Sequence, residues 1–204
     1  MRILNLYAGI GGNRKMWAGH EVVAVESEQY IAEAYIKLFP EDTVVVGDAH
    51  QYLLDHYSEF DFIWSSPPCP THSKMNLSFQ GDNRKHLLKY PDMTLYQEII
   101  FLKHFYDGKW AVENVEPYYQ ALLLPTVVFD RHFFWTNFPV TKQSTGRKYN
   151  IAKATKEDHS DQFGIVLPEG TKDQRKLLRN AVDPSIGLHI LEAATKEVTQ
   201  EVLL

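Results

Sequence analysis

Apolar positions recur along this chain with two periods, and the first part of the chain alternates between them. Short, nearly continuous apolar runs are typical of strands buried in a parallel sheet. We predict a strand for each run that fits this description: RILNLYA (2–8), EVVAVES (21–27), TVVVGDA (43–49), FDFIWSS (60–66) and KWAVENV (109–115).

Between these runs, apolar residues are spaced three and four apart, as on one face of a helix. Helices are predicted over QYIAEAYIKLF (29–39), HQYLLDHY (50–57), DMTLYQEIIFLKHFYDG (92–108) and, around Pro184, KLLRNAVDPSIGLHILEAATKEV (176–198). Residues 14–18 also resemble a helix start. Strands that alternate with helices predict an α/β fold, with a parallel sheet and helices on both faces.

Residues 139–172 depart from this alternation, because they form short polar and basic pieces without a sustained period. The whole chain has 204 residues, enough for one domain with an ordinary core. Nothing in it resembles a membrane span. We expect a main body made of residues 1–137, completed by a C-terminal helical part at 176–204, with a small inserted segment at 138–175.

Charge is distributed unevenly along the chain, whose formal net charge is −5. Residues 70–90 hold Lys74, Arg84, Lys85 and Lys89 against Asp82, a balance of +3. Residues 141–179 hold nine Lys or Arg against five Asp or Glu, a balance of +4, which leaves −12 for the remainder. Such basic segments are either solvated loop faces or, in an acidic protein, the surfaces that meet a polyanion.

The stretch DFIWSSPPCPTHS (61–73) contains Cys69, the only cysteine of the chain. A lone cysteine is most often a small buried apolar residue. Prolines at 67, 68 and 70 prevent a regular strand or helix here, so Cys69 is predicted to lie on a stiff loop that leaves a strand. Such loops are where functional sites are built.

The same stretch argues against two other kinds of cysteine chemistry. A metal site at Cys69 and His72 would need further ligands at a suitable spacing, and no metal is expected. One cysteine cannot form a disulfide within the chain, and no apolar signal segment is seen at the N-terminus. The sequence therefore predicts a reducing, intracellular compartment.

A glycine-rich turn, LYAGIGG, follows the first predicted strand and contains Gly9, Gly11 and Gly12. In parallel α/β sheets, ligands bind at the carboxyl ends of the strands. Glu26 ends the second strand and can accept hydrogen bonds from a ribose, while Asp48 ends the third and can accept from an adenine amino group. Either acid could instead be a helix N-cap. Together the turn and the two acids predict a site for a nucleoside cofactor.

These residues, taken in order, resemble the DNA cytosine-5 methyltransferases. LYAGIGG looks like the first motif of that family, and SPPCP resembles the loop of its nucleophile. TLYQEI is similar to its cofactor-closing helix, AVENV to its glutamate-asparagine-valine motif, and RNAVDPSIGLHI to its last motif. The likeness runs from residue 3 to about 191 and implies a Rossmann-like, seven-stranded fold that uses S-adenosylmethionine.

The resemblance also implies a role for each matched residue. Cys69 would add to carbon 6 of a flipped cytosine, Glu113 would hold N3 protonated, Asn114 would orient the loop, and Arg131 would contact the base carbonyl. Arg131 and loop backbone donors would also activate the thiol. The alternative for Glu113 and Asn114 is a helix cap after a strand. The implied cofactor residues are Tyr7, Gly9, Gly11, Gly12, Glu26, Asp48, Ala49, Pro68, Leu95, Asn180 and Val182.

Residues 70–90 are placed to act as a closing loop, and residues 138–175 to act as a small target-recognition segment. The residues expected near DNA are His72, Ser73, Lys74, Asn76, Arg84, Lys85, Arg147, Lys148 and Lys153, with Asn150 and Gln162 as further readers of bases. So short a segment can supply few bidentate base contacts. It predicts either a recognition sequence of about two to four base pairs, or a homodimer or partner protein that adds surface.

The chain departs from the family pattern at two positions. The family's arginine motif usually reads Arg-x-Arg, whereas here DRHFFW offers Arg131 followed by His132. The last motif usually has Gly before its Asn, and this chain has Arg179. No copy of the motif that normally precedes the last one is found. These departures leave the catalytic assignment intact, and they bear on how the enzyme would select its target sequence.

The resemblance therefore implies a cytoplasmic enzyme, of a prokaryotic cell or phage-infected host, that methylates carbon 5 of cytosine in double-stranded DNA. Within restriction-modification systems such an enzyme can accompany a nuclease. One rival is an amino methyltransferase acting on an exocyclic nitrogen, which has an aromatic residue where Cys69 stands and no use for the AVENV glutamate. The other is a catalytically inactive DNA-binding relative that keeps the fold.

Overall fold

A computed structural model describes residues 1–74, 90–143 and 154–196 of the chain. One sheet of seven strands is seen in this part, and six α-helices surround it. The strands are β1 (Arg2–Leu6), β2 (Glu21–Glu26), β3 (Thr43–Val46), β4 (Phe62–Ser65), β5 (Lys109–Val115), β6 (Val127–Phe129) and β7 (His132–Thr136). The helices are α1 (Gln29–Leu38), α2 (Ala49–His56), α3 (Thr94–Phe105), α4 (Lys156–Phe163), α5 (Gln174–Asn180) and α6 (Pro184–Thr195).

The strand order in the sheet is β3-β2-β1-β4-β5-β7-β6. Strands β1 to β5 pair in parallel, whereas β7 pairs antiparallel with both β5 and β6. The chain adds strands in opposite directions on the two sides of the central strands β1 and β4, so the strand order reverses between them. In α/β sheets, ligands bind at such a reversal, beyond the carboxyl ends of the strands. The predicted α/β, Rossmann-like sheet of seven strands is confirmed.

Helices cover both faces of the sheet, as predicted. On one face α2 and α3 pack through Leu53, Ile99 and Leu102 against Leu4 and Ile63. On the other face α6 packs through Ile186 and Ile190 against Phe62 and Trp64, while Tyr35 of α1 packs against Ala24. Burial on both faces explains why β1, β2 and β4 are nearly continuous apolar runs.

The helix start predicted at residues 14–18 is wrong, because residues 12–16 form turns. The reason is close packing against the C-terminal part of the chain. A side-chain carbon on Gly12 would collide with the backbone of Val182, and one on Gly187 would collide with the backbone of Asn13. Trp17 is buried in the same region and donates its indole N–H to the Gly187 carbonyl at 3.1 Å. These contacts hold the segment in a compact turn.

Helix α4 was not predicted from the sequence. Thr155 forms a capping box with Asp158, and Gly164 ends the helix with a φ of 60°. Phe163 at the end of the helix, together with Ile165 and Leu167 of the segment after it, joins a buried cluster with Ile10 and Leu178. The described part of the inserted segment is therefore anchored directly behind the glycine-rich turn. None of the helices in the described ranges is long and apolar enough to cross a membrane.

Candidate active site

A cavity of about 510 Å³ opens at the carboxyl ends of the central strands. The register brings these ends together, because Leu6 lies beside both Val25 and Ser65, and Ser65 lies beside Val112. The residues that follow in each strand therefore meet at one edge of the sheet. The predicted site residues that line the cavity are Tyr7, Gly9, Gly12, Glu26, Pro68, Cys69, Ser73, Glu113, Asn114, Arg131, Asn180 and Val182.

The glycine-rich turn forms one end of the cavity. Gly9 has a φ of 56°, and its N–H donates to the Glu26 carboxylate at 2.9 Å. Gly11 has a φ of 71° and does not line the cavity. A side-chain carbon there would collide with the rings of Tyr35 and Phe39, so Gly11 serves the packing of α1.

Glu26 is buried beside this turn with both carboxylate oxygens engaged by the backbone. One oxygen accepts from Gly9, and the other accepts from the N–H of Glu28 at 3.0 Å. Each carboxylate oxygen has a second lone pair. Glu26 can therefore accept hydrogen bonds from the hydroxyl groups of a ligand without losing the contacts that hold it.

Besides Gly11, three predicted cofactor residues lie away from the cavity lining. Asp48 caps α2, with its Oδ1 accepting from the Gln51 N–H at 2.9 Å. Ala49 and Leu95 are buried in the core between the sheet and helices α2 and α3. For Asp48 the structure thus has the N-cap that the sequence left open as the alternative.

A buried carboxylate that the sequence analysis missed supports the floor of the site. Glu98 of α3 is 0 % exposed, and it accepts a 2.5 Å hydrogen bond from the Tyr7 hydroxyl and another from Ser65. His50 Nδ1 lies 3.3 Å away. The hydrogen bond to Glu98 raises the pKa of His50, and burial together with the Glu98 charge raises that of Tyr7. Glu98 thereby ties α3 to the ends of β1 and β4.

The loop that carries Cys69 is fixed from two sides. The Cys69 carbonyl accepts from the N–H groups of His72 and Ser73 at 3.0 and 3.1 Å, which closes a turn. The buried Asn114, predicted to orient the loop, donates its amide N–H to the Pro67 carbonyl at 2.9 Å. Cys69 itself is half-buried and unbridged.

The pKa of the Cys69 thiol is raised above its ordinary value, chiefly by burial and secondly by the charge of Glu113. The charges of Arg131 and Arg179 and a backbone hydrogen bond act in the opposite direction. The expectation that Arg131 and loop donors activate the thiol therefore holds for their direction, but burial outweighs them. The Cys69 side chain is therefore held mainly as a neutral thiol.

Glu113 lies in β5, is 7 % exposed, and has a pKa raised to about 7 by burial. A hydrogen bond from Ser66 and the charge of Arg131 oppose this rise. His132 Nε2 lies 3.8 Å from Glu113 Oε1. At neutral pH Glu113 can thus both hold and release a proton, and in its neutral form it no longer raises the pKa of Cys69 through its charge.

Arg131 reaches the cavity from the turn between β6 and β7. This turn places Asp130 at a φ of 50°, and the Arg131 carbonyl accepts from the Glu116 N–H at 2.6 Å. The Nη2 atom of Arg131 lies 3.5 Å from the Arg179 carbonyl. The β6–β7 turn therefore connects β5 with the end of α5, and both arginines line the cavity.

The residues predicted to contact DNA have different environments. His72 is 1 % exposed, with Nδ1 2.6 Å from the Tyr119 hydroxyl, and burial lowers its pKa, so its side chain is covered by protein in this structure. Lys74 is exposed and pairs with Glu116 at 2.7 Å. Gln162 is half-exposed on α4. Outside the described residues lie Asn76, Arg84, Lys85, Arg147, Lys148, Asn150 and Lys153.

Sequence reasoning also missed several lining residues, because they come together only in the fold. Tyr30 and Ile31 begin α1 next to Glu26, and Lys176 and Arg179 lie on α5. Glu98 does not line the cavity and was also missed, although a glutamate among the apolar positions of α3 is visible in the sequence TLYQEIIFL. No group of three or more His, Cys, Asp or Glu in the described ranges could hold a metal ion.

Several solved structures resemble the chain. A DNMT2 mutant from Spodoptera frugiperda is 25% identical, with 56% of this chain and 35% of that chain covered and a TM-score of 0.39. A putative DNA modification methyltransferase encoded within an Escherichia coli prophage is also 25% identical, with coverages of 59% and 33% and a TM-score of 0.38. The chain thus spans about a third of the length of these proteins.

A hypothetical protein from Thermus thermophilus is 16% identical, with 66% of this chain and 73% of that chain covered and a TM-score of 0.44. Among curated protein sequences, none matches the chain. The family model of the C-5 cytosine-specific DNA methylases matches residues 1–116, more than half of the 204 residues. The matched region contains the glycine-rich turn, Glu26, Cys69, Glu113 and Asn114. The chain belongs to the C-5 cytosine-specific DNA methylase family.

Proposed function

We propose that this chain transfers a methyl group from S-adenosylmethionine to carbon 5 of cytosine in double-stranded DNA, through a covalent bond to Cys69. The observation that carries the proposal is the convergence of Cys69, Glu113 and Arg131 on one cavity. The same cavity ends in a glycine-rich turn with a buried carboxylate. Membership of the C-5 cytosine-specific DNA methylase family supports the same reaction.

The glycine-rich end suits S-adenosylmethionine by its chemistry. The close turn at Gly9 lets a ligand approach the backbone, and Glu26 has lone pairs available for ribose hydroxyl groups. Asn180 and Val182 line the cavity next to Gly12 and would contact the ligand there. When bound, S-adenosylmethionine would supply an electrophilic methyl group.

Cys69 would act as the nucleophile. Its thiolate adds to carbon 6 of the cytosine ring, forming a sulfur–carbon bond while the electron pair of the carbon 5–carbon 6 double bond becomes available at carbon 5. After methylation, loss of the carbon 5 proton and expulsion of the Cys69 thiolate restore the double bond. Because burial favours the neutral thiol, Cys69 must lose its proton as the base enters.

Glu113 would supply the proton that makes the addition favourable. With a pKa raised to about 7, its carboxyl is partly protonated at neutral pH and can donate to N3 of cytosine. Proton donation there prevents negative charge from building up on the ring as sulfur adds. When Glu113 loses its proton it becomes negatively charged, and this charge raises the pKa of Cys69. The protonation states of the two groups are therefore coupled.

Arg131 and Asn114 would position the reactants. Arg131 can donate to the cytosine carbonyl oxygen from the β6–β7 turn, and its charge favours the thiolate of Cys69. Asn114 holds Pro67, and with it the loop that carries the thiol. Correct placement of the nucleophile accounts for a large part of the rate in such reactions.

DNA must present the target cytosine outside the helix, because carbon 6 is not accessible within the base stack. Of the described residues predicted near DNA, Ser73 lines the cavity and Lys74 lies exposed beside it. We infer that the segments at 75–89 and 138–175 make the remaining contacts. A homodimer or a partner protein would extend the recognition surface if the target exceeds about two to four base pairs.

The experiment is to incubate the protein with S-adenosylmethionine and an unmethylated plasmid, digest the DNA to nucleosides, and identify the methylated nucleoside by mass spectrometry. We expect 5-methylcytosine. A methyl group on an exocyclic nitrogen would contradict the proposal in favour of an amino methyltransferase. Absence of any methylated nucleoside from a protein that binds S-adenosylmethionine would favour an inactive relative. Bisulfite sequencing of the same plasmid gives the target sequence.

A further inference from the structure

Glu98 of α3 is a buried carboxylate that takes no part in the proposed reaction. It is 0 % exposed, and its oxygens accept hydrogen bonds from the hydroxyl groups of Tyr7, at 2.5 Å, and Ser65. His50 Nδ1 lies 3.3 Å from the oxygen that Tyr7 contacts, and no lysine or arginine of the described ranges forms a salt bridge with Glu98. A carboxylate is costly to bury even when it is hydrogen-bonded. Its place among the buried residues of α3 therefore favours a task that an apolar side chain could not perform.

The two hydroxyl groups that donate to Glu98 belong to the two segments that lead into the cavity. Tyr7 follows β1 and begins the glycine-rich turn, while Ser65 ends β4 and precedes the loop that carries Cys69. Of the three side chains within hydrogen-bonding distance of Glu98 in the described ranges, Tyr7 alone lines the cavity. Glu98 does not line it. An effect of Glu98 on a bound ligand would therefore be exerted through Tyr7.

The backbone conformation of Tyr7 makes this contact important. Tyr7 has a φ of 55°, in the left-handed region that is unfavourable for a residue with a large side chain. Such a conformation persists where surrounding contacts hold it. On the backbone side, the N–H of the next residue, Ala8, donates to the Val25 carbonyl at 3.0 Å. The hydrogen bond to Glu98 holds the other end of Tyr7, the tip of its ring.

We propose that Glu98 is a positioning residue for the cofactor, and that it acts by fixing the Tyr7 ring and the start of the glycine-rich turn before the cofactor binds. The inference rests on the proposed function, because it concerns the S-adenosylmethionine end of the same cavity. A ring that is already fixed loses little conformational freedom on binding, so the cofactor binds more tightly than it would beside a mobile ring. The Ser65 hydroxyl holds the second carboxylate oxygen from the β4 side.

The test is a double-mutant cycle on the affinity for S-adenosylmethionine, measured by calorimetry without DNA. Tyr7→Phe removes the donor and keeps the ring, and Glu98→Leu removes both acceptor oxygens at similar bulk. We expect each single variant to weaken binding about threefold to tenfold. In the double variant no polar group is left unpaired between these two positions, so its affinity should be no weaker than that of Glu98→Leu.

Tyr96→Phe is the matched control, because Tyr96 is a buried tyrosine on the same helix as Glu98 and does not line the cavity. Its hydroxyl accepts from the Leu122 N–H at 3.2 Å, so its removal should lower the free energy of unfolding and leave cofactor affinity unchanged. A positioning role also predicts that the KM for S-adenosylmethionine rises in Tyr7→Phe and Glu98→Leu, while kcat at saturating cofactor changes much less. A purely structural role would reduce stability without this change in affinity.

Parental affinity in a folded Glu98→Leu, or effects of the two single variants that multiply in the double variant, would overturn the inference. If Glu98→Leu does not fold, Tyr7→Phe and Tyr96→Phe decide alone: weaker binding by Tyr7→Phe supports the inference, and equal affinities contradict it. Failure of the proposed function looks different, because a parent that binds S-adenosylmethionine would make no 5-methylcytosine while the cycle still showed coupling. A parent that makes 5-methylcytosine, with Tyr7→Phe and Glu98→Leu binding the cofactor equally well, would contradict this inference alone.

Discussion

The two ends of the cavity are built on different principles. At the glycine-rich end, Glu26 is held by the N–H groups of Gly9 and Glu28, so the backbone itself fixes the carboxylate. At the other end, the half-buried Cys69 and the buried Glu113 are titratable groups: the charge of Glu113 raises the pKa of Cys69, and the charge of Arg131 lowers the pKa of both. One end is suited to holding a ligand in place, and the other contains side chains whose protonation can change during a reaction.

This difference implies that substitutions should separate binding from turnover. Changes at the glycine-rich end should weaken S-adenosylmethionine binding, since its contacts are the same throughout the reaction. Changes at the cysteine end should reduce the rate and alter its pH dependence, since the charges there change only as the reaction proceeds. If single substitutions at either end reduced cofactor affinity and turnover to the same degree, the two ends of the cavity would not have separate roles.

The largest effect is expected for Cys69→Ser. A hydroxyl is a much weaker nucleophile than a thiolate, so turnover should fall by about a thousandfold or more. S-adenosylmethionine binding, measured by calorimetry, should match the parent, because the contacts proposed for the cofactor come from the Gly9 turn and Glu26 and not from the Cys69 thiol. Retained turnover in this variant would refute the nucleophile assignment.

Glu113→Gln should have the next largest effect. Loss of a general acid typically reduces the rate by about 10² to 10⁴-fold. In the parent, the acid form of Glu113 is lost as pH rises through about 7, so kcat/KM should have a falling limb there, and this limb should be absent in the variant. The substitution also removes a negative charge beside Cys69, so alkylation of the thiol should become faster.

Two findings would contradict this account of Glu113. One is an identical falling limb in the variant, since another group would then be titrating. The other is slower alkylation of Cys69 in Glu113→Gln, since removal of a negative charge can only favour the thiolate. The pH profiles of the parent and the variant should be measured at the same ionic strength.

Glu26→Ala probes the glycine-rich end. Hydrogen bonds to a charged group contribute about 1.5–3 kcal/mol each, so loss of the carboxylate should weaken S-adenosylmethionine binding about tenfold to a hundredfold. The rate at saturating cofactor should change much less than the affinity. Calorimetry and initial rates on the same preparation separate the two, and an unchanged affinity would mean that the cofactor binds elsewhere.

The smallest effect on cofactor binding is expected for Asp48→Ala, which is compared with Glu26→Ala. The sequence predicted that both acids bind the cofactor, Glu26 at a ribose and Asp48 at an adenine amino group, but Asp48 caps α2 and lies outside the cavity lining. We expect a loss of about 1 kcal/mol in the free energy of unfolding, as for other N-cap removals, with cofactor affinity close to that of the parent. Weakened binding comparable to Glu26→Ala would restore the original assignment of Asp48.

The contrast between these two acids shows how far sequence reasoning reaches. The first five strands were predictable because parallel strands buried on both faces are continuous apolar runs. Strands β6 and β7 carry the short runs VVF and HFFWT and pair antiparallel at one side of the sheet. The local pattern of apolar residues did not predict β6 and β7 as two strands. The expectation of seven strands came from the family resemblance.

Helix α4 was missed for a different reason. Its sequence, KEDHSDQF, is almost entirely polar and buries only His159 and Phe163, so apolar periodicity gives little signal. The ends of the helix are nevertheless marked in the sequence, by the Thr155–Asp158 capping box and by Gly164. Reading the caps before the periodicity would have found it.

Within the site, residues that belong to a local motif were predictable and residues that act across the fold were not. Cys69 and Glu113 sit in short, ordered motifs, and both line the cavity. Arg179 lines the same cavity as Cys69 from a helix more than a hundred positions away in the chain, and no spacing rule relates them. Charge and burial, which decide the pKa values, exist only after folding.

The most direct test of the central claim is to trap the covalent bond to Cys69. A duplex that carries 5-fluorocytosine at the target position should form a stable adduct with the protein in the presence of S-adenosylmethionine, because fluorine cannot leave carbon 5 as the proton does. We predict that mass spectrometry of the digested adduct places the base on the peptide that contains Cys69, and that Cys69→Ser forms none. Methylation of ordinary cytosine at carbon 5 without any such adduct, or an adduct on another residue, would contradict the account.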